Sequence, residues 1–451
     1  MFDEAYQRPG VPRPHYAALL SELERTDLVE LREQVADWVA VHGVTFADEP
    51  FVVDPVPRVL TAGEWSELEA GLVQRVRALN AFVVDVHGPR RIVAEGVVPP
   101  ALVVSADHHE PGMAGLAKHG ANPIAIAGLD VVRDADGRFL VLEDNLRTPS
   151  GLAYAVAARQ ASEVLLPDHP PLREVEHGFE LLDAALRACA PEGVEDPFVV
   201  MVSDGPENPA WYEHRVVSAR LGLPLVGVGD LVVHDGALTA RVGDDRHHVD
   251  VLYRRTNEER LVDDHGRRTA LGAAVLDPLR DGRLGCANAF GAGVADDKLA
   301  HAYVERMIGF YLGEAPLVRS VPTFDLADAA AREQVLDRID EMVVKPRAES
   351  GGRGVLVGPH AGDDDRRRTI RAVMADPEAF VAQETVWLSR HPTLIDGRLE
   401  PRHVDLRAFV FMTGDGATAL PGGLTRVALE ADALVVNSSQ DGGAKDTWVL
   451  A

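Results

Sequence analysis

Two polar clusters constrain this fold more than any other feature. Each ends an apolar run, and they lie far apart in the chain. In the first third, Asp130 closes the apolar stretch 124–129, and Phe139-Leu140-Val141-Leu142 runs into Glu143 and Asn145. In the last quarter, Met342-Val343-Val344 runs into Lys345, Pro346 ends the ladder, and Ser350-Gly351-Gly352-Arg353-Gly354 follows. The first cluster offers hard oxygen ligands. The second offers an ammonium group and a glycine loop. A chain that uses both in one reaction must bring its first third against its last quarter.

The first cluster reads as a hairpin. Asp134-Ala135-Asp136-Gly137 lies between the two apolar runs and is a turn signal. Folding back brings Glu143 close to Asp130, and the two-residue period of a strand puts Glu143 and Asn145 on one face. Two carboxylates and an amide oxygen suit Mg²⁺, with phosphate oxygens and water completing the shell. Such a cation would screen a nucleotide's charge and polarise its γ-phosphoryl group. The same short pattern also recurs on hairpins that bind nothing.

The second cluster suits phosphate. Ser350, Gly351, Gly352 and Gly354 allow a tight turn whose backbone N–H groups face phosphate oxygens. No Gly-Lys-Ser/Thr is present, so this is not a P-loop. Downstream, Phe380-Val381-Ala382-Gln383-Glu384 is a strand with a polar end. It places Gln383 and Glu384 against an adenine edge or simply closes a core strand. Two further strands carry Arg407 and Arg426. Arginines converging on one face suit a transferring phosphoryl group or an oxyanion, and structural salt bridges are the alternative.

Composition narrows the partners. The 451 residues are 46% hydrophobic and 26% charged, as in ordinary globular proteins of two to four domains. Lys+Arg 45 against Asp+Glu 71 gives a net charge of −26. That field repels nucleic acid and anionic membranes. It also repels ATP, so a nucleotide site needs local cations. Cys189 and Cys286 have no C-x-x-C spacing, which indicates neither a zinc site nor a disulfide framework. The N-terminus lacks a signal-peptide pattern and no apolar stretch is long enough for a membrane span, so the expected location is cytoplasmic.

Periodicity divides the chain into four parts. Residues 1–95 read mostly as helix, for example Trp65, Leu68, Leu72, Val76 and Leu79. Residues 96–195 hold the hairpin. Residues 196–320 open with a β-α-β pattern that predicts a small parallel sheet. Residues 321–451 hold the lysine strand, the glycine loop and the arginine strands.

Taken in order, these pieces resemble the ATP-grasp superfamily. Its usual order runs from lysine strand, glycine flap and adenine-hinge Glu to arginine strands and finally Asp…Glu-x-Asn. Here the last element stands first, at 130–145. The whole resembles the circularly permuted ATP-grasp type 2 family, relatives of glutathionylspermidine synthetase. Glu143-Asp144-Asn145-Leu146-Arg147-Thr148-Pro149-Ser150-Gly151 and Gly442-Gly443-Ala444-Lys445-Asp446-Thr447-Trp448 carry the likeness.

The resemblance implies an α+β or α/β architecture: a permuted ATP-grasp core, a small pre-ATP-grasp-like domain at 196–320 and an N-terminal helical region. It implies ATP and Mg²⁺. Lys345, Ser350, Gly351, Gly352, Gly354 and an upstream Lys298 would hold phosphates. Gln383 and Glu384 would lie on the adenine side, and Asp130, Glu143 and Asn145 would take the metal. Arg407 or Arg426 would steady the transferring group. Ligases of this superfamily phosphorylate a carboxylate, and an amine or thiol then displaces phosphate. The expected substrates are a small molecule or peptide with a carboxylate and a nucleophilic acceptor. A phosphotransferase and a non-catalytic nucleotide-binding module remain the alternatives. One departure is Gly128, where D-alanine ligases carry an arginine two residues before their first Asp; Arg426 or Arg133 is then the substitute.

Overall fold

The computed structural model describes residues 1–115, 122–256, 260–263, 265–348, 353–431 and 442–451. A nine-stranded sheet organises it. Seven strands form the main path, in the order Arg319–Ser320, Phe139–Asn145, Ile126–Arg133, Arg398–Thr413, Leu424–Ala428, Gly442–Val449, Val53–Leu60. Arg390–Ile395 and Gly416–Ala419 pair with the long strand Arg398–Thr413. That long strand runs antiparallel to Ile126–Arg133, with Arg407 opposite Asp130. Strand pairing therefore joins the first third of the chain to the last quarter.

Alternation along the long strand sorts the two faces. Leu406, Ala408 and Val410 pack with the 25-residue helix Ala62–Val86, which Thr61 and Glu64 start with a capping box. Phe409 and Phe411 pack with the helices Leu152–Leu165 and Gly178–Arg187. Arg407 and Asp405 have the parity of the second set.

The hairpin holds a bulge. Asp130 pairs with Glu143, but Val131 pairs with Val141, so Leu142 is the extra residue. A bulge re-aims the side chains beyond it. Val141 therefore lies in the core with Val131, while Glu143 turns to the face of Asp130. Asp144 turns the other way, to Arg75 of the long helix. In the turn, Asp134 Oδ1 accepts from the backbone N–H groups of Asp136 and Arg138, and Gly137 takes a φ of 84°.

One segment corrects the helical reading of the N-terminal region. Val53–Leu60 is a buried strand at the sheet edge, parallel to Gly442–Val449. Pro55 and Pro57 break every helical pattern there, and proline is tolerated only where a strand has a free side. The register shifts between Lys445 and Thr447, alongside the prolines.

Two smaller sheets flank this one. An antiparallel sheet has the order Thr323–Asp325, Phe380–Glu384, Met342–Pro346, Leu356–Val357. A parallel sheet has the order Gly285–Ala287, Val251–Arg255, Val199–Ser203, Leu225–Val226.

Candidate active site

Four charged residues meet on the open face of the main sheet. Arg407 grips Asp130 with two bonds, Nε to Oδ1 at 2.5 Å and Nη2 to Oδ2 at 3.0 Å. Arg426 reaches Asp130 Oδ2 at 3.0 Å and donates from Nε to Asp405 Oδ1 at 2.8 Å. Asn145 Nδ2 lies 3.4 Å from Asp130 Oδ2. Burial opposes ionisation of Asp130, but Arg407 and then Arg426 outweigh it and hold its carboxyl down at about 2. Burial pushes Asp405 up despite the same arginine.

Gly128 explains where the Arg407 side chain can lie. A Cβ there would stand 2.8 Å from Pro149 Cβ and 3.0 Å from Arg407 Cδ. The Arg407 side chain thus crosses the space above residue 128. Arg133 does not compete for it. It pairs with Glu64 and lies over the rings of Phe2 and Phe139, toward the turn of the hairpin.

The cationic half sits beside this cluster. Lys345 is half-buried near the end of its strand, and burial pulls its pKa down; Glu143 and Asp130 act against that shift, and Lys298 with it. Lys298 Nζ stands 3.8 Å from Glu143 Oε1. Lys298, Lys345, Glu143 and Gln383 line one small cavity. Three consecutive residues hold its walls. Asp296 bonds Arg147 Nε at 2.6 Å, and Asp297 bonds Arg347 Nη2 at 2.9 Å. Lys298 completes the run at Glu143. One tripeptide thus ties the hairpin end to the lysine strand.

His301 lines the same cavity and carries no motif a sequence reading could use. Its Nδ1 lies 2.8 Å from Asp144 Oδ2, and Nε2 is buried with no partner among the described residues. Gln383 Oε1 is likewise buried and unpartnered, while its Nε2 donates to Leu142 O and Thr323 Oγ1. Glu384 is opposite Met342, whereas Lys345 is opposite Val381. Three residue pairs at about 3.3 Å each put Glu384 roughly 10 Å along the strand from Lys345. Gly354 has a φ of 68° against Pro346. Ser350, Gly351 and Gly352 lie outside the described residues.

On the other side of the arginines opens a cleft of about 300 Å³. Arg407, Arg426, Arg255, Ser150, Phe51 and Tyr154 are among its walls. Its residues come from the main sheet, the loop and helix after the hairpin, the parallel sheet with the helix that follows its strand Val199–Ser203, and the N-terminal segment of Phe46 and Phe51. Neither Arg255 nor His214 stood out in the sequence, because each lies among other charged residues, Arg254 beside the one and Glu213 and Arg215 beside the other, with no motif to single it out.

The donor set fits a hard divalent cation. Asp130 and Glu143 face each other with Asn145 one strand position away, all oxygen donors of the kind Mg²⁺ takes. Among the described residues, no group of three or more His, Cys, Asp or Glu could hold a metal.

The mixed α/β fold thus sets a lysine-bearing cavity and an arginine-lined cleft beside one sheet. The chain belongs to the circularly permuted ATP-grasp type 2 family, whose model matches residues 57–428. It is 43% identical over 470 residues to a Frankia alni protein named "Putative glutamate–cysteine ligase 2-3", covering 99% of this chain and 54% of that protein. A Frankia casuarinae protein of the corresponding name, 2-2, is 42% identical over 99% of this chain and 53% of its own length. The chain thus spans about half the length of these relatives. An uncharacterised Synechocystis protein is 40% identical over 100% of this chain and 97% of its own. Among the described residues, no helix is long and apolar enough to cross a membrane.

Proposed function

We propose that the chain is an ATP-dependent ligase that joins a carboxylate to an amine or thiol through an acyl phosphate. A carboxylate oxygen of the substrate attacks the γ-phosphorus of ATP, the bond to the β-phosphate oxygen breaks, and ADP leaves. The acceptor nitrogen or sulfur then attacks the acyl carbon, the bond to phosphate oxygen breaks, and phosphate leaves. The acceptor loses a proton. The observation that carries this reading is Arg407, held by Asp130 and lining the cleft.

Lys298 and Lys345 bind the phosphates and offset the repulsion of an anionic protein. Asp130, Glu143 and Asn145 would hold Mg²⁺, which would supply neutralisation of phosphate charge. Arg407 and Arg426 stabilise the charge that develops on the transferring group and on the tetrahedral oxyanion. Gln383 and Glu384 face the adenine. The names of the Frankia relatives support amino-acid or peptide substrates.

The test is phosphate release from ATP with pooled carboxylates and amines. Wild type should release ADP and phosphate together only when an acceptor is present. Arg407→Lys should lose about 10²–10³ in kcat, the usual effect of removing one charge-stabilising donor. Asp130→Asn should serve as the blank. ADP formed without free phosphate, with the label on a product, would instead identify a phosphotransferase.

A further inference from the structure

The cleft beside the arginines has an uneven lining. Arg255, Arg407 and Arg426 face it, yet among the described residues that line it there is no Asp or Glu. Each arginine's counter-charge lies behind it. Asp130 and Asp405 hold Arg407 and Arg426 from the sheet side. Glu213 lies 3.1 Å from Arg255, and its other oxygen accepts from Gly151 and Ala153 N–H at 2.8 and 3.0 Å.

Arg255 is further fixed by Ser150 Oγ at 2.5 Å and Pro149 O at 2.8 Å. His214, also on the wall, is neutral. Burial and then Arg255 hold its pKa down at about 3, and its Nδ1 is 2.8 Å from Ser203 Oγ.

Part of the lining is apolar. Phe51 and Tyr154 pack with ring centroids 4.6 Å apart, and Phe46 and Leu424 extend the surface. The Tyr154 hydroxyl is spent on Thr45 O at 2.9 Å, so the ring contributes its hydrocarbon surface. The segment that carries Phe46 is held against the parallel-sheet unit by Ala47 N–H to Pro209 O at 3.0 Å.

We infer that the cleft takes a carboxylate whose neighbouring nitrogen is uncharged, as in an N-acylated amino acid or a peptide C-terminus, with an apolar side chain against Phe51 and Tyr154. The inference rests on the ligase reading and deepens it. A free amino acid would bring its ammonium group beside guanidinium groups with no facing carboxylate, and like charges placed together cost affinity. An amide nitrogen carries no such charge. The guanidinium forks suit the carboxylate end, and the aromatic wall suits the side chain. Free glutamate meets neither condition.

The test compares N-acetyl-L-phenylalanine, N-acetyl-L-alanine and N-acetyl-L-alanyl-L-phenylalanine with L-phenylalanine and L-glutamate on the full chain. Binding is measured by calorimetry without nucleotide, and ADP formation is measured with ATP and a pool of amines. The blocked compounds should bind at least about tenfold more tightly and raise kcat/KM for ADP formation by a similar factor. Phe51→Leu should keep the preference for a blocked nitrogen and shrink the preference for phenylalanine over alanine. Equal or tighter binding of the free amino acids, with ADP still formed, overturns the inference and leaves the ligase reading standing. Tight binding of the blocked compounds without ADP from any carboxylate overturns the ligase reading. Phe51→Leu with an unchanged phenylalanine-to-alanine ratio removes the apolar wall from the argument.

Discussion

Asp130 carries more of this site than any other residue, because two guanidinium groups and a cation would draw on the same two oxygens. Its folded pKa of about 2 lies below the ordinary 3.8. A carboxylate with a depressed pKa stabilises the fold above its unfolded value, and that contribution fades as pH falls through the folded one. The stability advantage of wild type over Asp130→Asn should therefore be constant above about pH 4 and shrink toward pH 2. Thermal melts of the two proteins across that range check it; a difference that grows on acidification contradicts the pairing. Gly128 is the second residue of consequence. Gly128→Ala places a methyl group into Pro149 and the Arg407 side chain. Over-packing of this kind costs about 1–3 kcal/mol, and the displaced guanidinium should lower kcat more than it raises the KM for ATP.

Among the elements, the hairpin and the tripeptide Asp296-Asp297-Lys298 set the geometry. The spacing of Asp130 and Glu143 was legible in the sequence, and the two residues do pair. The bulge at Leu142 was not, because Leu140, Val141 and Leu142 are all apolar and hide the break in alternation. It is the bulge that puts Glu143 on the site face and Asp144 against Arg75. The tripeptide was legible only at its lysine. Asp297 spans to Arg347, two residues past Lys345, and also caps the short helix Lys298–His301. Asp297→Asn keeps a good cap but removes the negative charge paired with Arg347. It should raise the KM for ATP with little change in kcat or melting temperature, as measured by steady-state kinetics beside a melt. A fall in kcat at unchanged KM would place Asp297 elsewhere in the reaction.

At the scale of the molecule, the main sheet draws its strands from both ends of the chain. Val53–Leu60 covers Gly442–Val449, and buried Lys445 bonds Asp54 within that pairing. Removing residues 1–60 would expose the backbone groups of a buried strand and leave Lys445 buried without its carboxylate. Such a loss costs about 3–5 kcal/mol for the charge alone. The shortened chain should be insoluble or lack a cooperative melt, and a soluble, cooperatively melting product would contradict the edge role of this strand.

By itself, the sequence determined what local chemistry can encode. Strand-ending charges, a turn of Asp and Gly, and a lysine before a glycine loop are short-range signals, and their order pointed to a permuted family. Only the tertiary structure decided what depends on residues distant in the chain. Arg407 fills the space over Gly128 because a strand from residue 398 onward lies beside one from residue 126. Arg255 meets Ser150 because the parallel sheet packs against the loop after the hairpin. Such contacts arise when apolar faces are buried together, and no local pattern records which polar residues that burial brings face to face.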